Sequence, residues 1–174
     1  MVVMLGKPMV TGKAPKIVDT RNKHLVVATE LLHNKNHCYY SQAPNRWDWH
    51  RSKTLSFPFT SDCSGTCTAI CWFAGNPNDP NGVGWGYGNT KTMLDHAKVK
   101  KLIINKAQLL QGDFILLGME PDGVTPKHVV MKYNDNPSNP LCFSMGGDSD
   151  PSLDLLSGLL SIGKPIYVRN VTRA

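Results

Sequence analysis

Residues 59–75 read FTSDCSGTCTAICWFAG, and how this stretch folds decides the organisation of the chain around it. The apolar positions Cys67, Ile70, Cys71 and Ala74 recur at helical spacing, and Gly75 is a natural C-terminal stop. Either Ser61 or Asp62 can cap this helix by accepting from its free N–H groups. Cys63 then falls in the first, partly open turn, where unpaired N–H groups and the positive end of the helix dipole favour a thiolate. Cys67 and Cys71 share the apolar stripe and read as core, because a free cysteine packs as a small hydrophobe. Cys63 is the candidate nucleophile, and the rest of the chain must supply its base.

Downstream, the hydrophobic period changes at Asp113. The segments DFILLG, KHVVMKY, LCFSMG and PIYVRNV are short, β-rich and bounded by Gly, Pro or Asn, which predicts an antiparallel sheet. Between the third and fourth, PSLDLLSGLLSIGK reads as a helical excursion or a wide loop. Upstream, Leu25, Val26, Thr29, Leu31 and Leu32 place a first helix over Arg21–Asn34, with Asp19 or Thr20 able to cap it. The part that follows, NHCYYSQAPNRWDWHR, is aromatic and proline-interrupted, so it reads as irregular, with Tyr40, Trp47 and Trp49 available for packing or ligand contact. After Gly75, NPNDPNGVGWGYGN is a loop, and Asn89 or Thr90 caps a short helix through about Ala97. Helices first and strands afterwards define an α+β fold: an N-terminal extended segment over 1–20 and a single domain over 21–174.

Composition narrows the function classes. A chain of 174 residues with 41% hydrophobic content suffices for one compact core. The formal charge of +6 is moderate and its lysines are scattered, so the run Lys98, Lys100, Lys101 reads as solvated surface and no nucleic-acid partner is expected. No stretch approaches a membrane span, and the opening MVVMLGKPMVTGKAPK carries no signal-peptide pattern. With five cysteines at irregular spacing, synthesis in a reducing cytoplasm is expected. The loop over 76–89 lacks the lysine and glycine spacing of a phosphate cradle and the register of a calcium loop. Cys63, Cys67 and Cys71 have helical rather than zinc-knuckle spacing, and His33 and His37 lack an H-E-x-x-H glutamate, so neither metal nor cofactor is expected.

Among six histidines, His128 opens the strand KHVVMKY after the turn-rich MEPDGVTP, where a sheet end can present its imidazole to the cysteine helix. In this order, DCSG at 62–65, QGDFILLG at 111–118 and HVVMKY at 128–133 resemble the nucleophile motif, GD strand and histidine strand of the NlpC-like papain-fold cysteine peptidases. These are close to the CHAP amidases, and the similarity is greatest to the phage cell-wall hydrolases. YYSQAPNRWDW upstream and FSMGGDSDP downstream extend the resemblance over roughly 21–171.

The resemblance implies a papain-like α+β domain that cleaves amide bonds of bacterial peptidoglycan as an endopeptidase or amidase. It implies Cys63 as nucleophile and His128 as general base, with Tyr40, Asp62, Ser64 and Trp85 as substrate or oxyanion contacts. It also implies a phage-encoded protein that acts from the host cytoplasm on the wall or rides in the virion tail beside other tail proteins. The alternative is a catalytically silent structural or wall-binding tail protein of the same fold. The third polar residue departs from the pattern. A hairpin turning near Asn136 and Pro137 places Met145 opposite His128, and methionine holds no imidazole by a strong hydrogen bond. Asp148, carried round by Gly146 and Gly147, is favoured over Ser144, which alternation points to the other face; a dyad with no third member stays open.

Overall fold

The computed structural model describes residues 21–147 and 150–170. Its helices are α1 (Arg21–His33), α2 (Cys63–Phe73), α3 (Thr90–Val99) and the short α4 (Leu156–Leu159). A parallel pair, β1 (Cys38–Tyr40) and β2 (Phe59–Ser61), flanks a 3-10 helix over Pro44–Arg51 that buries Trp47 and Trp49. The remaining strands are β3 (Ile103–Ile104), β4 (Phe114–Leu117), β5 (His128–Lys132), β6 (Leu141–Ser144), β7 (Ser152–Leu155) and β8 (Pro165–Val168). They form one antiparallel sheet in the order β3-β8-β4-β5-β6-β7.

The expected α+β class holds, and all four expected strands are present. The PSLDLLSGLLSIGK segment is neither a single helix nor a loop: it contributes edge strand β7, then α4 and a 3-10 turn. The expected caps of α1, Asp19 and Thr20, lie outside the described residues.

Strand alternation gives the sheet two buried faces. Phe114, Leu116, Val129, Met131, Phe143 and Met145 pack beneath α1 and α2, against Ala28, Leu31, Cys67, Ile70 and Cys71. Ile115, Leu117, Val130 and Cys142 pack on the other side against Leu156 of α4. Because both faces are covered, β4 is buried at all four positions and reads as an unbroken apolar run. Residues 63–71 of α2 are likewise buried all round, as befits a helix between layers. At its end Gly75 takes φ +70°, and the N–H groups of Gly75 and Asn76 return to the carbonyls of Trp72 and Cys71.

The GD of QGDFILLG is structural. Asp113 is fully buried, accepts from the N–H groups of Leu110 and Asn170, and pairs with Arg169 at 3.2 Å. It ties the entry of β4 to the exit of β8.

All five cysteines are free and buried, so Cys67 and Cys71 are core as expected. Burial pushes the thiols of Cys71 and Cys142 up to about 12 and that of Cys38 to about 11. In the unfolded chain a thiol ionises near 9, whereas the folded chain keeps the proton; above that pH the unfolded state binds fewer protons and stability falls. The melting temperature should therefore decline as pH rises from about 9. Cys142→Ala should start lower and decline less steeply, which circular dichroism melts across this range will show.

Candidate active site

The start of α2 is built around one carboxylate. Asp62 is the N-cap, and its Oδ1 accepts from the Gly65 N–H at 2.6 Å and from Ser64 Oγ at 2.9 Å. Its Oδ2 accepts from Arg46 Nη1 at 2.6 Å, and Arg46 Nη2 donates on to the Gly88 carbonyl. Asp62, not Ser61, is thus the cap; the Ser61 hydroxyl instead donates to the Arg46 carbonyl at 3.1 Å. Gly65 is required by space, since a Cβ there would lie 2.3 Å from Ser61 Oγ. The parallel ladder sets Tyr40 beside Ser61. The Tyr40 phenol, raised above its ordinary value first by burial, also feels Cys63 and Asp62. Cys63, Asp62, Ser64 and Tyr40 therefore gather at one helix terminus.

Cys63 departs from expectation in its environment. It is 8% exposed rather than partly open. Burial, and next the Asp62 charge, push its thiol up to about 11, against the N–H groups of Val129, Ser64 and Cys63 itself, which favour the thiolate. Helix-end stabilisation exists, but desolvation outweighs it.

The β5–β6 register also differs. Met131 pairs with Phe143 and Lys132 with Cys142. Continued two residues past β6, the ladder brings Gly146, not Met145, opposite His128, and a Cβ on Gly146 would lie 2.7 Å from His128 Cε1. A slip of one residue reverses every side chain. Ser144 consequently shares the face of His128, and its Oγ lies 3.0 Å from His128 Nε2. Met145 instead lies beneath α2, where the Thr66 hydroxyl donates to its sulfur at 2.9 Å. Asp148, the favoured third residue, lies outside the described residues.

Among the described residues Nδ1 of His128 has no hydrogen-bond partner. Burial first lowers the imidazole below the ordinary histidine value, opposed by the charges of Asp154 and Asp62. Asp154 belongs to β7 and accepts from Ser152 Oγ at 2.6 Å, and Ser152 is the ladder partner of Ser144. A polar line thus runs behind the imidazole across β6 and β7.

The thiol and the imidazole come to the same end of β5 from opposite sides. α2 covers the side of Val129 and Met131, whereas His128 sits in register with Leu117 on the α4 side. No hydrogen bond joins Cys63 to His128; the Val129 N–H is what β5 presents to the sulfur. Trp85 lies elsewhere. It packs on Trp72, with ring centroids 5.3 Å apart, and lines a separate cavity.

Arg46 and Asp154 were not singled out from sequence. Arg46 lies in an irregular aromatic segment with no periodicity to mark it, and Asp154 becomes relevant only once β7 pairs with β6. Among the described residues no group of three or more His, Cys, Asp or Glu could hold a metal ion, and no helix is long and apolar enough to cross a membrane. Compared with known proteins, the chain matches no protein-family model, no curated protein and no solved structure.

Because the Gly65 position has no room for a methyl group, Gly65→Ala should destabilise the protein by about 2 kcal/mol. Urea unfolding is the measurement, and a stability within about 0.5 kcal/mol of the parent would show that Ser61 yields without cost.

Proposed function

We propose that this protein is a papain-like cysteine hydrolase of the NlpC/CHAP type that cleaves amide bonds in peptidoglycan. The supporting observation is the hydrogen bond between His128 Nε2 and Ser144 Oγ. With Nε2–H donating to Ser144, the lone pair of Nδ1 is left to take a proton. This nitrogen belongs to the residue next to Val129, whose N–H meets the thiol of Cys63.

In the proposed reaction Nδ1 accepts the thiol proton as Cys63 Sγ attacks the amide carbonyl. The imidazolium then protonates the leaving amine, and water, activated by the same nitrogen, hydrolyses the thioester. N–H groups at the start of α2, with the Tyr40 hydroxyl, stabilise the oxyanion. The burial that penalises a lone thiolate weighs less on a thiolate–imidazolium pair, because the charges compensate. Ser144 acts through His128 and is a positioning residue. Peptidoglycan as substrate and a phage origin, as a free lysin or a tail component, rest on the motif resemblance.

Cys63→Ala should abolish release of peptides from purified peptidoglycan, followed by mass spectrometry. His128→Ala should fall to a similar level, and the double variant should fall no further, because nucleophile and base act as a unit. Losses that multiply would sink the dyad. Ser144→Ala should cost about tenfold in kcat, or about 1.4 kcal/mol.

Catalysis needs neutral His128, so kcat/KM should hold at neutral pH and fall as pH drops through its lowered pKa, below the ordinary histidine range. Removing Ser144 should move this acid limb, a change that simple loss of stability would not produce.

A second reading, a silent wall-binding or tail protein of this fold, draws on the buried, proton-holding Cys63 and the missing thiol–imidazole bond. Iodoacetamide separates the two. The hydrolase should be alkylated at Cys63 at pH 7 in a His128-dependent manner. Silence at pH 7, with modification rising about tenfold per pH unit toward 11, identifies the inert thiol.

A further inference from the structure

We infer that the protein has a second, separate binding site, for a small amphiphilic anion such as a medium-chain carboxylate. A cavity of about 680 Å³ lies between α3, the sheet and the loop that follows α2. Cys63, His128, Ser144 and Tyr40 do not line it, so the inference stands independently of the hydrolase proposal. The volume is that of a small-molecule site.

The lining has an apolar interior and a cationic rim. Met93 and Ala97 of α3 face Phe114, Leu116 and Val168 of the sheet, and Trp85 closes one side from the loop. One turn apart, His96 of α3 and Lys100, the residue that caps its C-terminus, stand at the edge. Neither side chain has a hydrogen-bond or ion-pair partner among the described residues.

The other charges of the lining already have ionic or hydrogen-bond partners, although the buried Nε of Arg169 makes no hydrogen bond. Asp79 accepts from the N–H groups of Asn81, Val83 and Gly84, and Arg169 is paired with Asp113. What remains open to a ligand is the Lys100 ammonium and the His96 ring N–H. The loop is shaped around this edge: Gly82, at φ +67°, lies so close to His96 that a Cβ would come 2.1 Å from its Nδ1. A ligand matching this arrangement places an aliphatic or aryl body against Trp85, Met93 and Leu116 and its anionic head at Lys100 and His96.

Titration of the full-length protein with sodium octanoate and, separately, 1-octanol tests the inference, read through the methionine methyl resonances. Octanoate should shift the Met93 methyl saturably, with a dissociation constant of about 1 mM or tighter, while Met131 and Met145 beneath α2 stay in place. Lys100→Glu changes an exposed side chain and should leave the fold intact. It should weaken octanoate about tenfold and leave octanol unchanged. His96→Gln, which keeps an N–H donor, should retain most of the affinity, whereas His96→Leu should not. A Met93 methyl that does not move, equal affinity for octanoate and octanol, or indifference of octanoate to Lys100→Glu would each overturn the assignment.

Discussion

Asp62 enters the interior at 5% exposure with both oxygens taken, and most of the site can be traced to that fact. Its partners come from α2 itself and from the 3-10 helix over 44–51; through Arg46 the connection continues to the loop at Gly88. A carboxylate buried beside one guanidinium is tolerable only if its remaining lone pairs are occupied, and removing one partner of such a pair costs about 3–5 kcal/mol. The Gly65 N–H and the Ser64 hydroxyl meet that requirement. In doing so they start the helix at Cys63 and hold the thiol at its terminus. The same negative charge opposes ionisation of the thiol and favours protonation of His128. One residue therefore fixes the position of the sulfur and adds a charge felt by both the thiol and the imidazole, secondary in each case to burial.

The sheet supplies the second half of the site by a different logic. β5 is covered on both faces, so its side chains divide between two cores, and His128 sits on the side away from α2. Only at the first residue of the strand, where the sheet ends, can an imidazole from that side approach a thiol on the other. Ser144 restrains one ring nitrogen, and the absence of a Cβ on Gly146 admits the ring. A thiol that keeps its proton and an imidazole held neutral by burial together describe an uncharged resting pair. In the proposed enzyme, the thiol proton passes to Nδ1 of His128 as the sulfur attacks its electrophile.

The loop after α2 gives the protein a second focus. Asn81, nearly fully buried, ties it down by donating to Thr68 and accepting from Thr92, and Asp79 gathers three backbone N–H groups of the loop. The glycines between these anchors let the loop pass close over α3. Trp85 therefore reaches Trp72 and the cavity behind it instead of the Cys63 terminus.

Short-range features were legible in the sequence. The cap and stop of α2, its buried cysteines, the capped start of α3 and four strands all follow from periodicity, Asx or Gly chemistry and β-branched content within a few residues. Asp62, Cys63 and Ser64 are neighbours in sequence, whereas Tyr40 joins them through the parallel pairing of β1 with β2, in a segment that reads as irregular. Tertiary structure alone decided the rest. The register of β5 and β6 depends on the turn between them, where the Asn134 side chain accepts from both the Asn136 and Leu141 N–H groups and Tyr133 pairs with Leu141. That geometry moves the ladder by one residue, and a one-residue move exchanges Met145 for Ser144 on the His128 face. The protonation of Cys63 is likewise a long-range outcome: a helix terminus pulls toward the thiolate wherever it occurs, but how far desolvation pulls back depends on what the completed fold packs over the sulfur.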